Sequence, residues 1–250
     1  MAYASYQGKL YLAKLTNGVR GALRWLGDVS EFGVETEADK IEHQESHTGF
    51  RTTDFVMTKT RKVTISATMD DYSKENVALV VDGHITAIAS ATAQDQVLPT
   101  VKVGDEIKLD GFNITTLLLS DSTATPVELV ADTHYTLDAT HGVLKIISIT
   151  GLTQPLVADY TTGAVESTTL MSAEDDEYYL YFKGNDTANK NAQFALELWK
   201  VKKQAGGSMP FIHEELGQLE ISGDALSDTS KQLDGELGLF GRIVNIPSTP

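Results

Sequence analysis

The residues best suited to chemistry are two histidines spaced four apart in an acidic stretch. His43 and His47 flank Glu45, and on a helix this spacing would place both imidazoles on one face, as in zinc-binding helices. In those helices a glutamate directly follows the first histidine, whereas Gln44 stands there in this chain. Gly49 soon afterwards favours a loop or a strand over a helix, so we predict no metal site. The chain has six histidines in all, at positions His43, His47, His84, His134, His141 and His213.

Adjacent carboxylates are the second candidate, because paired acids can perform general acid and base catalysis. The pair Asp70-Asp71 and the acidic run at 174–177 lie at predicted strand ends, where such residues are usually solvated parts of turns. The sequence has no Gly-x-Ser-x-Gly elbow, no Gly-x-x-x-x-Gly-Lys phosphate loop and no cysteine nucleophile. We therefore predict that the chain is not an enzyme and binds no cofactor.

A cluster of aromatic residues, Tyr178, Tyr179, Tyr181 and Phe182, is the third candidate, since aromatic rings can stack on sugars or bases. In a strand, Tyr179 and Tyr181 share one face while Tyr178 and Phe182 share the other. The acidic residues just before them disfavour a nucleic-acid platform. We predict that at least one face belongs to the core or to a contact between subunits.

Short segments with a two-residue period position these side chains and predict an antiparallel β protein. The clearest strand is 62–70, where Val63, Ile65, Ala67 and Met69 alternate with polar residues. Further strands are predicted at 9–14, 192–202, 218–222 and 238–244. One short helix is predicted after Ser73, its N-cap, with Gly83 as the residue beyond its C-terminus.

The middle of the chain, 92–172, differs in composition and is rich in Val, Thr, Asp and turn signals such as Asp110-Gly111. Strands are predicted there at 106–109, 115–119, 127–130 and 143–149. We interpret 92–172 as a small β module inserted into a core domain formed by 1–91 and 173–250. The alternative is that this stretch continues a single β-sandwich.

The charge of the chain limits its partners. It has 35 acidic and 20 basic residues, a formal net charge of −15, which disfavours a surface that captures nucleic acid. Repulsion of phosphate would nevertheless suit a wall past which DNA must slide. The first residues lack a basic segment followed by an apolar one, and no apolar run is long enough to span a membrane. The sequence thus predicts a soluble protein that is not secreted.

Two parts of the sequence carry a resemblance to a known family. The segment from Glu31 to Asp82 contains Glu31-Phe32, a polar stretch at 41–54, the strand at 62–70 and the helix sequence that starts at Ser73. It resembles the major tail tube proteins of siphophages, in which "E-S-x-x-G-x-R/x-T-D" is followed by "V-x-I-x-A/S-x" and "S-x-E-N-L/V-A". The segment 217–231 is similar to the closing strand of that family and its "A/V-L-x-D" continuation. The resemblance covers roughly 5–90 and 175–246, and not the middle module.

The resemblance implies a mainly β fold, a tail-tube-type β-sandwich or barrel with one short flanking helix and an inserted small β module on the tube exterior. It implies a structural virion protein, made in the host bacterial cytoplasm, whose homohexameric rings stack head to tail into the bacteriophage tail tube. DNA would pass through the lumen during ejection without specific binding. The implied partners are other copies of the chain, the tape measure protein, and tail terminator or distal tail proteins.

Two sets of site residues follow. The polar stretch 39–62 is too long for an idle loop, so we expect an arm that reaches the next subunit or ring, with contacts from Glu45, Ser46, Thr48, Gly49, Arg51, Thr52 and Asp54. An acidic lumen would keep DNA from adhering, and by strand alternation its candidate acids are Asp70, Glu197 and Glu220. The rival functions are a β-sandwich carbohydrate-binding or adhesin module and another tail component of the same fold.

Overall fold

A computed structural model of the chain describes residues 3–173, 176–212, 214–231 and 235–247. The fold is mainly β, with several antiparallel sheets and one α-helix among the described residues. In chain order the elements are β1 (Tyr6–Thr16), β2 (Val19–Arg20), β3 (Arg24–Trp25), β4 (Val29–Gln44), β5 (Thr53–Met69), α1 (Lys74–Val80), β6 (Ile85–Ile88), β7 (Thr92–Val97), β8 (Glu106–Lys108), β9 (Thr116–Ser120), β10 (Tyr135–Asp138), β11 (Val143–Ile146), β12 (Val157–Thr161), β13 (Val165–Thr168), β14 (Glu177–Asp186), β15 (Ala192–Lys203), β16 (Leu219–Leu226) and β17 (Gly241–Ile246).

The chain divides into two compact units. The first contains 1–84 and 168–250, and the second contains 85–167; the module predicted at 92–172 overlaps this second unit. Within the first unit, hydrogen bonds connect the two chain segments that lead into and out of the second unit. The His84 N–H donates to Thr169 Oγ1 (2.9 Å), and the Thr169 N–H donates to the His84 carbonyl (3.0 Å).

The first unit is built on a nine-stranded sheet in the order β2-β1-β14-β15-β16-β5-β4, with β3 on β1 and β17 on β15. One edge of β15 has two partners in succession, since β17 pairs with its residues 193–198 and β16 with 200–203. The sheet curls, because Phe32 on β4 lies 5.3 Å from Phe182 on β14 between ring centroids although three strands separate β4 from β14.

Alternation along these strands divides the sheet into two faces. The inner face carries the core, and its most buried members include Leu10, Met69, Leu180 and Leu219. We call the opposite side the outer face. It is mostly polar, but it holds a small buried cluster of Ala13, Tyr179 and Trp199.

Helix α1 covers part of the core through Leu79 and Val80, and a buried amide fixes its position. The Asn76 Nδ2 donates to the Leu26 carbonyl (2.7 Å) and to the Asp71 carbonyl (2.9 Å), while Arg24 donates to its Oδ1 (2.7 Å). Because this side chain is fully buried, these bonds are needed to offset its desolvation. Asn76 thereby joins the helix to the chain that enters β4.

The second unit has its own core between two three-stranded sheets, β10-β11-β8 and β7-β12-β9. A buried carboxylate holds one of its loops, since Asp121 accepts the N–H groups of Val127 (2.8 Å) and Thr153 (3.2 Å) and the Thr123 hydroxyl (2.7 Å). The Val127 N–H and the Thr123 hydroxyl are the main reasons that the pKa of Asp121 falls from 3.8 to about 2.

Several sequence predictions differ from the structure. The segment 127–130 is not a strand, and it contributes only an isolated bridge between Ser120 and Glu128. The residue beyond α1 with left-handed backbone is Asp82 (φ 50°), not Gly83. Gly83 is required for another reason, because a Cβ there would collide with the Thr169 carbonyl. The strand predicted at 62–70 is the second half of β5, which begins at Thr53.

Candidate self-association surfaces

The most prominent feature of the first unit is a long hairpin formed by β4 and β5, of 16 and 17 residues. Near the core its inner face is covered, but every residue of 34–44 and 53–62 is exposed. We call this part the arm. At about 3.3 Å per residue it is roughly 30 Å long. The polar stretch 39–62 is therefore mostly a two-stranded ribbon, with a loop at 45–52.

The arm carries an apolar patch near its tip. Ile41 pairs directly with Met57, and His43 pairs with Phe55, so that Ile41, Met57 and Phe55 lie on one face of the ribbon. They are 44%, 48% and 56% exposed. An isolated two-stranded ribbon is at best marginally stable in water, and clustered exposed apolar side chains mark contact sites. These properties are typical of a segment whose apolar side chains are buried against another protein surface.

The loop at the arm tip is organised by Glu45, which is only 5% exposed. Its carboxylate accepts the N–H groups of His47 (3.0 Å) and Thr48 (2.9 Å) and also the Thr48 hydroxyl. The Thr48 hydroxyl and N–H are the main reasons that the pKa of Glu45 lies below its usual value. The Glu45 N–H in turn donates to the Thr52 carbonyl (2.9 Å). Glu45 therefore shapes the loop from inside.

The other predicted arm residues are exposed and surround this loop. Gly49 (φ 84°) and Arg51 (φ 51°) have left-handed backbone, which lets the chain turn between the two strands. Asp54 lies at the start of β5 with its Oδ1 2.6 Å from His43 Nδ1. Ser46 is exposed. The predicted set is thus brought together at one end of the hairpin, and whether it contacts another subunit stays a prediction.

Two of the predicted lumen acids lie close together on the outer face. Glu220 is exposed on β16 opposite Thr68. Asp70 follows β5 and accepts from Gln218 Nε2 (2.9 Å) and Ser30 Oγ (3.2 Å). Neither side chain is buried, so both remain available to face a channel. Their assignment to a lumen stays a prediction.

The third acid, Glu197, lies in a different environment. Its carboxylate accepts from Tyr179 Oη (2.5 Å) and Arg242 Nε (2.7 Å), and Arg20 stacks on the Tyr179 ring at 4.5 Å. Partial burial opposes ionisation of Glu197, but these donors and the charge of Arg242 outweigh it and lower its pKa. Burial, and then donation to Glu197, raises the pKa of Tyr179. The charge of Glu197 is thus already matched inside the chain.

The aromatic strand is occupied by packing. Tyr178 and Phe182 pack against the main core, and Tyr179 is 4% exposed in the outer-face cluster. Trp199 completes that cluster and donates its Nε1–H to the Gly238 carbonyl (3.0 Å). Tyr181 is partly buried and packs against the same cluster, so all four rings of the aromatic strand take part in packing within the chain. Of the acidic run before it, Glu174 and Asp175 lie outside the described residues.

The histidine pair does not converge on one point. His43 faces Asp54 on the ribbon, while His47 Nδ1 lies 3.0 Å from Glu45 Oε2 in the tip loop. Across the part of the chain that the structure describes, no group of three or more His, Asp or Glu side chains could hold a metal ion. His213 lies outside that part. No described helix is long and apolar enough to cross a membrane.

Sequence reasoning missed several residues that shape these surfaces. The roles of Glu45 inside its loop and of Asn76 under α1 leave no periodic signal, because each depends on partners brought close by folding. The apolar residues at the arm tip, Ile41, Phe55 and Met57, were visible in the sequence. Their signal was the short apolar run Phe55-Val56-Met57, together with Ile41, within an otherwise polar stretch.

Comparison with known proteins assigns the chain to a family. No curated protein matches the chain. A family model described as "Protein of unknown function UCP028589" matches residues 3–244. Since that match spans both units and nearly all of the sequence, the chain belongs to this family.

Proposed function

We propose that the protein is a structural subunit that assembles with copies of itself, as the major tail tube protein of a siphophage. In this proposal hexameric rings stack into a tube through which DNA is ejected into the host. The observation that carries it is the arm, a ribbon exposed on both sides with an apolar patch near its tip. Such a ribbon gains stability when another copy covers it.

Open strand edges support the same proposal. β4 is the terminal strand of the sheet, and among the described strands its one partner is β5. A long free edge invites pairing with another chain, and cyclic closure of identical subunits removes it. The polar outer face, which includes Glu220 and Asp70, would suit a channel wall that repels phosphate. The second unit would then lie on the tube exterior.

The direct test is negative-stain electron microscopy of the purified protein across a concentration series, with size-exclusion chromatography alongside. Hollow tubes or rings of uniform width are the expected result. A chain that stays monomeric at high concentration would refute the proposal. In that case glycan binding by the second unit would test the adhesin alternative. A chain that forms rings that do not stack would instead favour another tail component.

An arm-deletion variant separates assembly from folding. Replacing 40–59 by Asn-Gly, a turn suited to a tight hairpin, removes the distal arm but keeps the pairs between 29–36 and 63–69 that cover the core. We expect unchanged thermal stability and loss of tubes. A second variant replaces only 46–50 by a Gly-Ser loop of equal length, which keeps the apolar patch and separates its contribution from that of the predicted contacts of Ser46, Thr48 and Gly49.

A further inference from the structure

The three most exposed large apolar side chains in the described part of the chain lie in one loop. They are Ile212 (97% exposed), Leu216 (96%) and Phe211 (83%), and the loop, 204–218, joins β15 to β16. Its described residues form no helix or strand. Long connections of this kind are commonly binding loops, and clustered exposed apolar side chains mark contact sites. We call 210–217 the apex of the loop.

The base of the loop is fixed to the first unit, so the apex is presented from a defined place. The Gln204 N–H donates to the Ser222 carbonyl (2.9 Å), which continues the pairing of β15 with β16. Gly207 runs so close to β16 that a Cβ on it would lie 3.2 Å from the Glu220 carbonyl oxygen. Met209 packs against the main core. The apex therefore projects from an anchored base.

An apolar groove of about 550 Å³ lies elsewhere in the first unit. It exposes Tyr6 (64%) and Ile243 (69%), and the ring of Phe194 lies 4.7 Å from that of Tyr6 between centroids. Among the described residues that form the groove, the one charged side chain is Asp186. Its carboxylate already accepts two backbone N–H groups. Apolar side chains could therefore fill the groove without burying an unpaired charge.

The apex and the groove cannot meet within one copy, because they lie at opposite ends of β15. The groove includes Ala192–Phe194 at the start of this strand, and the loop follows its last residue, Lys203. At about 3.3 Å per residue, Phe194 and Lys203 are roughly 30 Å apart. Phe211 is four residues from Gly207 in the base and can extend no more than about 15 Å from it. The apex can thus fill only the groove of another copy.

The groove matches the apex in size and in the charge at its rim. A cavity of about 150 Å³ admits one benzene-sized group, so a groove of about 550 Å³ has room for three apolar side chains. Glu214 is exposed in the apex, and Lys190 is exposed just before Ala192 at the edge of the groove. Opposite charges at the rim of an apolar contact favour the correct partner and orientation.

We propose that the apex of one copy docks in the groove of a second copy, where Phe211, Ile212 and Leu216 become buried. The inference rests on the proposed self-assembly and names one contact that this assembly uses. Since each copy has one apex and one groove at opposite ends of β15, the contact is head-to-tail and repeats from copy to copy. It therefore extends a stack instead of closing a pair.

An apex variant of the full-length chain, Phe211→Ser with Ile212→Ser and Leu216→Ser, tests this contact. Negative-stain electron microscopy and sedimentation velocity over a concentration series measure assembly. We expect the concentration required for tubes to rise about 100-fold or more, because three apolar side chains no longer gain from burial.

The control variant is Phe112→Ser with Leu118→Ser and Val127→Ser, which changes three exposed apolar side chains of the second unit. It should assemble like wild type. Circular dichroism verifies that each variant is folded.

A groove variant, Tyr6→Ser with Ile243→Ser, tests the other side of the contact and should show a similar loss of tubes. After separate purification, the two variants are mixed in equal amounts. The apex variant supplies intact grooves and the groove variant supplies intact apices, so each pair has one working contact. The mixture should form pairs of the species that each variant forms alone, and these pairs should not grow further.

A peptide with the sequence of 208–217 gives a second test, which does not depend on the folding of any variant. The peptide should inhibit tube growth by the wild-type chain, because it occupies the groove. The same peptide with the three serine substitutions should not inhibit growth.

Failure of this contact and failure of the proposed function give different results. An apex variant that forms tubes at wild-type concentrations, or a mixture that forms no pairs, would overturn the contact while leaving the proposed function standing. An equal loss of tubes in the control variant would also overturn it, because exposed apolar surface in general would then govern assembly. A wild-type chain that stays monomeric would overturn both proposals.

Discussion

The apolar patch of the arm gives a quantitative prediction. Replacing Ile41, Phe55 and Met57 by threonine keeps strand propensity and removes most of the apolar surface that another copy would cover. Complete burial of such a side chain is worth about 1.5–3 kcal/mol. Each of the three is already about half covered, so burial of the rest contributes about 1 kcal/mol per residue.

The sum is about 3 kcal/mol, equivalent to about 100-fold in the association constant. We expect the triple variant to need about 100-fold more protein to assemble, as measured by sedimentation velocity over a concentration series. Its unfolding free energy should change by no more than about 0.5 kcal/mol for each substitution, because exposed positions rarely affect stability more.

The matched control is a triple threonine variant of Val97, Val103 and Val130, which are also exposed but lie in the second unit. It should assemble like wild type. Assembly of the arm variant at wild-type concentrations would refute the argument that the patch is covered in the assembly. A large loss of thermal stability would instead show that the patch supports the fold of the single chain.

Three more predictions concern the single chain. The folded-state pKa of Asp121 is lowered from 3.8 to about 2. Its contribution to stability is therefore complete above about pH 4 and is lost as the pH falls toward 2. Thermal melts should show this loss in wild type and not in Asp121→Asn, and that variant should be less stable than wild type at pH 7. Replacing 85–167 by a short Gly-Ser linker should leave the first unit folded, as judged by circular dichroism, since the bonds between His84 and Thr169 remain. Gly83→Ala should lower the melting temperature, because its Cβ would collide with the Thr169 carbonyl.

These outcomes have matched comparisons. Gly235→Ala should be nearly neutral, since open space surrounds the added Cβ. Glu128→Gln is the comparison for Asp121, because Glu128 is an exposed carboxylate in the same unit. Equal effects of the two glycine substitutions would contradict the predicted collision at Gly83. Identical pH profiles for wild type and Asp121→Asn would contradict the stabilising role of the Asp121 carboxylate. An unfolded first unit after replacement of 85–167 would contradict its independence from the second unit.

The sequence was most informative where one face of a strand is buried. The alternation of Val63, Ile65, Ala67 and Met69 identified the second half of β5. The first half has the same backbone conformation but is exposed on both faces, so no alternation of apolar and polar residues marks it. The arm was therefore predicted as a long polar segment, and its regular pairing appeared only in the structure.

Short strands in the second unit show a different limit. Val127 and its neighbours have the composition of a strand, yet the Asp121 side chain takes the Val127 N–H, and the segment forms no ladder. In contrast, β12 carries Ala158 and Tyr160 into the core but includes Asp159, and it was not predicted. In such segments, contacts distant in sequence outweigh local propensity. The hydrogen-bonded network of Tyr179, Glu197 and Arg242 is another example, because its residues lie on three different strands and no local sequence pattern connects them.

The order of strands in the sheet also determines the order in which the chain can fold during synthesis. β1 ends at Thr16, but its partner β14 begins at Glu177. At about 5–20 residues per second, a ribosome needs roughly 10–30 s to make the intervening chain. The second unit can complete its core in that time, because all of its core residues lie between Leu98 and Tyr160. Until β14 emerges, β1 exposes its apolar side, and we expect chaperones to bind the nascent chain there.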